Sequence, residues 1–460
     1  MKGHSLSVVS IVLLLFAAGA LAQTDPGPRG GAPGAGGALA SVLANNPTTI
    51  LNFFNDGKTR FQEIDSVVDG FFAGEGGGLG PRYNSRSCAR CHAQPAVGGS
   101  SPSLNPQFED AIAHGASNTL PSFITIGGPV REARFVYFTD AAGNPITSQP
   151  NGAVEPLFII AGRPDAGSCT TSVISQPNFA SAQSHNNVIF RIPTPVFGSG
   201  LIENIEETTL LQAVGGNPFG IAGTLNRNPN DGTITRFGWK AQNKSLEIFA
   251  GEAYNVEQGV SNELFTQERP TPEEEKATGL PSQCKINATP EDHTNFNTTA
   301  VGTISDTVSF AMFMRLLAPP QPATYTGLQQ ISVLHGQTVF TDIGCAACHR
   351  QSFTTSPSAI TPDLGNKTAN LYSDLELHHM GTTLADNIQQ GNAGGDQFRT
   401  APLWGLGQRL FFLHDGHRTN LLDAIADHQS AGSEASSVIL NFNALSTSDK
   451  QDVLNFLRSL

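Results

Sequence analysis

The chain has 460 residues, 39% of them hydrophobic and 14% charged, with 48 glycines and a formal net charge of −13. That length allows about three domains, and the acidic balance excludes a protein built to bind nucleic acid through phosphate contacts. After residue 25 no stretch is apolar and long enough to span a bilayer.

At the N-terminus, Lys2 and His4 precede the apolar run VVSIVLLLFAAGALA, and Ala20-Leu21-Ala22 offers small residues for cleavage. Residues 1–22 are expected to be a secretory signal peptide, which puts the mature chain in the periplasm or outside the cell. The alternative is an uncleaved anchor. The Gly/Ala/Pro-rich residues 23–45 read as a flexible linker. A Gly-rich stretch then leads to SCARCHAQP, residues 87–95. Short alternating runs in SFITIGGPVREARFVYFTD predict strands or a hairpin. After the turn FGSG, Leu201, Ile205, Leu210 and Leu211 recur at helical spacing. The stretch GTITRFGWKAQNKSLEIFAGEAYNVEQG reads as a strand-like start followed by a helix. Residues 265–300 are polar and predict an exposed loop. TISDTVSFAMFMRLLAPP is an amphipathic helix that stops at its prolines. A second unit opens near residue 326, where QQISVLHGQTVFTDIGCAACH predicts a helix running into a second cysteine motif. The final STSDKQDVLNFLRSL is a capped helix with apolar residues at 453, 454 and 457.

The two cysteine motifs carry the chemistry. Cys88, Cys91 and His92 form one C-x-x-C-H, and Cys345, Cys348 and His349 the other. Residues three apart share a face of a helical turn, so two thiols can meet the two vinyl groups of one porphyrin. Each adds across a vinyl to give a thioether, and the next residue brings an imidazole over the ring to ligate iron. This is the attachment pattern of a c-type haem, with His92 and His349 as proximal ligands. A zinc site and a redox dithiol are the alternatives. Export argues against the first, and the histidine directly after both pairs argues against the second. Cys169 and Cys284 remain, and in an oxidising compartment an even pair suggests a disulfide.

A haem with two strong axial ligands carries electrons, whereas one with an open position does chemistry. The distal ligand therefore decides function. Met312 and Met314 lie on the amphipathic helix and read as core; Met380 is the third methionine of the mature chain. Among the remaining histidines, His428 ends the helix NLLDAIADH and can be presented to the second haem.

The stretches LGPRYNSRSCARCHAQPAVGG, RIPTPVFGSGLIENI, RFGWKA, DLELHHMG and FRTAPLWGLGQRLFFLHDGHRTNLLDAIADH together resemble the bacterial di-haem oxidoreductases, and more distantly the di-haem cytochrome c peroxidases. The resemblance implies that the N-terminal haem reacts with peroxide and the C-terminal haem takes electrons from a partner. In the peroxidases the residue 14 positions after the histidine of HDG, a Met or Tyr, ligates the C-terminal haem; here that position is His428. Bis-histidine ligation lowers a haem potential relative to His/Met, so this departure argues against a high-potential haem and the usual cytochrome donor. The resemblance also implies a glutamate over the N-terminal haem, for which Glu203 in GSGLIENI is the candidate, with Glu206 and Glu207 as competitors. Its task would be to move a proton between the peroxide oxygens. Trp239 or Trp404 would relay electrons between haems or simply pack, and Arg191 would hold a propionate. A calcium ion between the haems is implied as well, although no residue pattern locates it.

The expected fold is mainly α: two cytochrome c-like haem domains, with short strands in the N-terminal half. Residues 46–325 would form the N-terminal, peroxide-reacting haem domain, and residues 326–460 the C-terminal, electron-transferring one. The expected cofactors are two covalent haems c and calcium. The expected partners are hydrogen peroxide or another small oxidant, and a small redox protein as electron donor or acceptor. No nucleic acid and no membrane span after signal cleavage are expected. Two rival functions stay open. One is a pure electron carrier, with His114 or His185 as distal ligand of the first haem. The other is oxygen activation on an organic or protein substrate.

Overall fold

The computed structural model describes residues 23–44, 48–215, 217–287, 290–293, 304–358 and 361–460. The expected signal peptide lies outside them. Among the described residues no helix is long and apolar enough to cross a membrane. Among the described residues, fifteen α-helices and eleven short strands are joined by long irregular connections.

The helix pattern repeats in the two halves. In the first half, helix Thr48–Gln62 precedes the cysteine motif and packs against helix Asp306–Leu316. In the second, helix Gly327–Asp342 precedes the motif and packs against helix Thr447–Ser459. Each pair meets at a mid-helix glycine. A methyl group at Gly57 would lie 2.3 Å from the Ser309 carbonyl, and one at Gly336 1.9 Å from that of Asp452. The later helix of each pair is capped by a serine, Ser305 accepting from Val308 N and Ser446 from Asp449 N. The amphipathic helix ends at Leu316, ahead of Pro319 and Pro320, which cannot continue it. Its buried Phe310 and Phe313 pack on Phe54 and Phe61 of the partner helix. In the final helix Val453, Leu454 and Leu457 are buried as the spacing predicts.

Three antiparallel strands, Val154–Glu155, Glu132–Phe135 and Val188–Arg191, form the largest sheet in that order. Alternation along the central strand decides which side chains face where. Ala133 and Phe135 enter a buried cluster with Phe158 and Phe179, while Glu132 and Arg134 take the opposite face. Arg191 pairs across from Glu132. A hairpin of Tyr137–Thr139 and Pro145–Pro150 extends from this sheet.

Three local expectations are corrected. The Gly/Ala/Pro-rich segment is docked rather than a free linker. Asp25 grips Arg458 with both oxygens at 2.7 Å, Arg29 N donates to the Gly407 carbonyl, and Leu39 and Val42 are buried. Residues 265–300 are not a plain loop: helix Pro272–Ala277 carries a capping box of Thr271 and Glu274. Cys284 is fully buried and bonded to Cys169, 115 positions away. The helix expected across Leu201 to Leu211 is two, Ser199–Glu203 and Glu207–Ala213, and Leu211 is exposed.

Candidate functional site

Each cysteine motif lines its own cavity. The first holds about 460 Å³ and carries Cys88, Cys91 and His92 on its wall. Residues Cys88–Cys91 form one helical turn, closed by His92 N donating to the Cys88 carbonyl at 3.0 Å, so both thiols share a face. The second cavity holds about 210 Å³ and is lined by Cys345, Cys348, His349 and His428. There Gly344, at φ 105°, starts a 3₁₀ turn, and His349 N donates to the Cys345 carbonyl at 2.9 Å.

The three candidate ligands share one hydrogen-bonding device. His92 Nδ1 donates to the Gly99 carbonyl at 3.0 Å, His349 Nδ1 to Tyr372 at 3.0 Å and His428 Nδ1 to Ala424 at 2.8 Å. A carbonyl only accepts, so the proton sits on Nδ1 and Nε2 keeps its lone pair. That is how metal-ligating histidines are oriented. Burial holds the imidazoles of His92 and His349 down at about 4, with His428 adding to the effect on His349. Burial lowers His428 as well.

The thiols do not suit the alternatives. Burial pushes Cys91 and Cys345 up to about 12 and raises Cys88 and Cys348 too, whereas a redox dithiol needs a depressed value. The two pairs line separate cavities, so they form no four-thiolate zinc site.

Charge around the cavities fits an anionic cofactor. Arg399 and Arg409 line the second cavity and have no carboxylate ion-pair partner among the described residues; burial pushes both down to about 10. Arg131 and Arg269, on the first cavity, donate only to backbone carbonyls. Two vinyl-reactive thiols, an imidazole and guanidinium groups with no carboxylate bonded to them make a donor set that fits one haem per cavity.

Trp239 is on the wall of both cavities. Its indole Nε1 donates to the Ile192 carbonyl at 2.9 Å, which fixes the ring. Trp404 lines neither cavity and packs against Gly198 in the core. Beside Trp239, the buried Lys240 ammonium donates to the carbonyls of Gly394 at 2.7 Å and Gln397 at 2.9 Å, and to Asp386 at 3.0 Å. Asp386 also accepts from Arg191 at 2.6 Å. Arg191 does line the first cavity, but it is committed to Asp386 and to Gln390. A lysine is thus the cation among the oxygens of Gly394, Gln397 and Asp386.

Glu203 does not reach the first cavity. Its carboxylate is held by Arg315 at 2.6 Å and caps Leu246 N at 2.8 Å, so the expected peroxide-side acid is corrected. The acids on that wall are Glu132, Glu252 and Glu257. Burial, reinforced by Glu132, pushes Glu257 up, whereas Arg134 and Arg191 outweigh burial to hold Glu132 low. Glu257 lies in a π turn, Tyr254–Gln258, that continues helix Leu246–Ala253. Such turns gather at functional sites, but an acid-amide pair at the end of a helix gave no signal of one. His114 and His185 are corrected too. His114 stacks on Phe72 and bonds Glu75 at 2.9 Å, and His185 is exposed and bonds Ser181. Met314 lines the first cavity and Met380 the second.

Residues 153–460 match the family described as "Di-haem oxidoreductase, putative peroxidase"; the first cysteine motif precedes the matched span. No curated protein matches the chain. Among solved structures, hydrazine synthase of Kuenenia stuttgartiensis aligns over 100% of both chains at 11% identity and TM-score 0.33. The diheme peroxidase BthA of Burkholderia thailandensis aligns over 75% of this chain and 95% of its own, at 13% identity and TM-score 0.29. A MauG-like protein associated with microbial copper homeostasis aligns over 58% and 84%, at 14% identity and TM-score 0.28. These are distant likenesses, and the assignment rests on the family match, which spans more than half of the sequence. The chain belongs to the di-haem oxidoreductase family.

Proposed function

We propose that the chain is an exported c-type di-haem oxidoreductase that reduces peroxide in the cavity of His92, with electrons delivered through the cavity of His349 and His428. The observation that carries this is the asymmetry of the two cavities. On the second, His349 and His428 each have Nδ1 tied to a carbonyl, and His378 and His414 also line the wall. The first presents one imidazole, and its remaining wall holds carboxyl, amide and guanidinium groups.

When bound, a haem supplies a redox-active iron. The chain's own residues do the rest. Cys88 and Cys91, and Cys345 and Cys348, attach the two groups as thioethers, while His92 and His349 serve as proximal ligands. His428 would hold the second group together with His349, and two strong ligands would suit it to electron transfer. Trp239, on the wall of both cavities, would carry electrons between them. Burial and the neighbouring Glu132 push Glu257 up, so Glu257 is the group on the first wall that can give up a proton near neutral pH. Each half, residues 46–325 and 326–460, is a cytochrome c-like unit in this reading, and the acidic chain suits a small basic redox partner.

A second reading is a pure electron carrier in which Met314, on the first cavity wall, is the sixth ligand. Stopped-flow mixing of the half-reduced holoprotein with hydrogen peroxide separates the two. The enzyme reading expects fast oxidation that Glu257→Gln slows by roughly 10²–10⁴-fold, with Met314→Leu reacting like wild type. An inert wild type that becomes reactive in Met314→Leu would establish the carrier.

A further inference from the structure

One layer behind the wall of the second cavity, Asp25 ties the N-terminal segment to the elements that carry that wall. Its side chain is 5% exposed. Arg458 Nε and Nη2 donate to its two oxygens at 2.7 Å each, Gly27 N donates at 2.9 Å, and Leu421 N at 2.8 Å. Through Nη1, Arg458 also donates to the carbonyls of Arg409 at 3.0 Å and Leu406 at 3.4 Å. Leu406, Arg409, Leu421 and Leu457, the residue before Arg458, all line the second cavity. One carboxylate from the start of the chain is therefore bonded, directly or through Arg458, to three separate parts of that wall.

The bond to Leu421 N bears on His428. Helix Leu421–Ala426 has six residues, too few to keep its shape in water without outside contacts. Just past its C-terminal end, Asp427 accepts from Arg418 at 2.6 and 2.9 Å and lies 2.8 Å from His417 Nε2. At its N-terminal end, Asn420 caps Leu422 N at 2.8 Å, a contact within the segment itself. The partner of Leu421 N is Asp25, 396 positions away. Leu421 and Ala424 are buried and set which face of the helix turns inward; Asp25 fixes where its first turn sits. His428 moves with this helix, because its Nδ1 donates to the Ala424 carbonyl and its backbone N to that of Ile425. A ligand has to be held within about 0.5 Å of its working position by the residues around it, so the anchoring of this short helix matters at Nε2.

We propose that Asp25 is a positioning residue for His428: docking of the N-terminal segment keeps that imidazole in place at the second cavity. This role rests on the reading of His428 as a haem ligand. A hydrogen bond from a backbone N–H to an ionised carboxylate is among the stronger ones, and it is made only while the first turn of the helix is seated. Its loss raises the released population of His428 by roughly 10–100-fold, the worth of one hydrogen bond to a charged group. Asp25 thereby keeps the second cavity closed to outside ligands, peroxide included, and reserves it for electron transfer.

Carbon monoxide binds where ferrous iron offers a free position, so mixing it with the fully reduced holoprotein reads the release of His428 directly. The expected trace has a slow phase set by that release, and His428→Ala should abolish it by making the same haem react fast. Asp25→Asn, which keeps the shape of the side chain, should speed the slow phase by roughly 10–100-fold and leave the other phase at its wild-type rate. Asp25→Glu keeps a counter-charge for Arg458 while displacing the oxygen on Leu421 N, and should speed the phase as well. Replacing Cys169 and Cys284 with serine destabilises the chain without touching this helix, and should move neither phase. A slow phase that keeps its rate in both Asp25 variants, or that the cysteine replacement speeds as much, would overturn the role of Asp25 with the haem reading intact. A wild-type trace without a slow phase, or a slow phase that survives in His428→Ala, would overturn His428 as a ligand and the role of Asp25 with it.

Discussion

Asp386→Asn tests the buried charge cluster beside the first cavity, where Arg191 is on the wall. The carboxylate is fully buried. It accepts from Arg191 at 2.6 and 3.2 Å, from Lys240 at 3.0 Å and from Ile388 N at 2.9 Å. Asparagine keeps the shape and the bond to Ile388 N but takes away the carboxylate that Lys240 and Arg191 are both bonded to. Breaking a buried ion pair from one side costs about 3–5 kcal/mol, a large share of the about 5–15 kcal/mol that holds a typical domain together. Lys240→Met should cost less, about 1–3 kcal/mol. It leaves the Arg191–Asp386 pair intact and takes the ammonium donor from the Gln397 carbonyl and from the Gly394 carbonyl, which keeps its bond from Gln397 N. The double substitution removes the surplus cation and should be less damaging than the sum of the two, by about 0.5–3 kcal/mol. Urea unfolding of the holoprotein, followed by tryptophan fluorescence, measures all three. An Asp386→Asn protein within about 1 kcal/mol of wild type would refute the reasoning, because the cations would then be neutralised elsewhere.

Three further outcomes are expected. Replacing Cys169 and Cys284 with serine opens a loop of 115 residues and should cost about 4–5 kcal/mol on the chain-entropy model, read as a lower urea midpoint without reductant. Asp25 is held below its ordinary 3.8, because the Arg458 fork and the N–H groups of Gly27 and Leu421 outweigh the opposing effect of burial. Its contribution is therefore complete above the unfolded value and is lost as pH falls through the lower folded one. Asp25→Asn should cost about 3 kcal/mol at neutral pH and flatten the acid limb of a stability–pH curve. His428→Met replaces imidazole with thioether and should raise the potential of the C-terminal haem, as read by redox titration, while the N-terminal haem stays unchanged.

Local patterns were legible in the sequence; partners far along the chain were not. The C-x-x-C-H turns, the serine-capped final helix and His428 at the end of NLLDAIADH depend on residues within a few positions of one another, and spacing alone places them. Glu203 was misread because its neighbours in GSGLIENI say nothing of Arg315, 112 positions away, which holds its carboxylate. The docking of residues 23–44 was missed for the same reason: Asp25 meets Arg458 across 433 positions. Polar composition hid the capped helix Pro272–Ala277. The π turn that places Glu257 on the cavity is a register shift that helical periodicity does not display. Trp239 was singled out from its motif, and the structure then placed it on both cavity walls.

The measurement that bears most directly on the central claim is the optical and EPR spectrum of the purified holoprotein, as isolated, half-reduced and after one equivalent of hydrogen peroxide. The account predicts two covalent haems. One is low-spin with two nitrogen ligands, from His349 and His428. The other is ligated by His92 with an open position, high-spin or becoming so on half-reduction, and consumes the peroxide. Two haems that stay low-spin in every state and ignore peroxide would contradict it and make the protein an electron carrier.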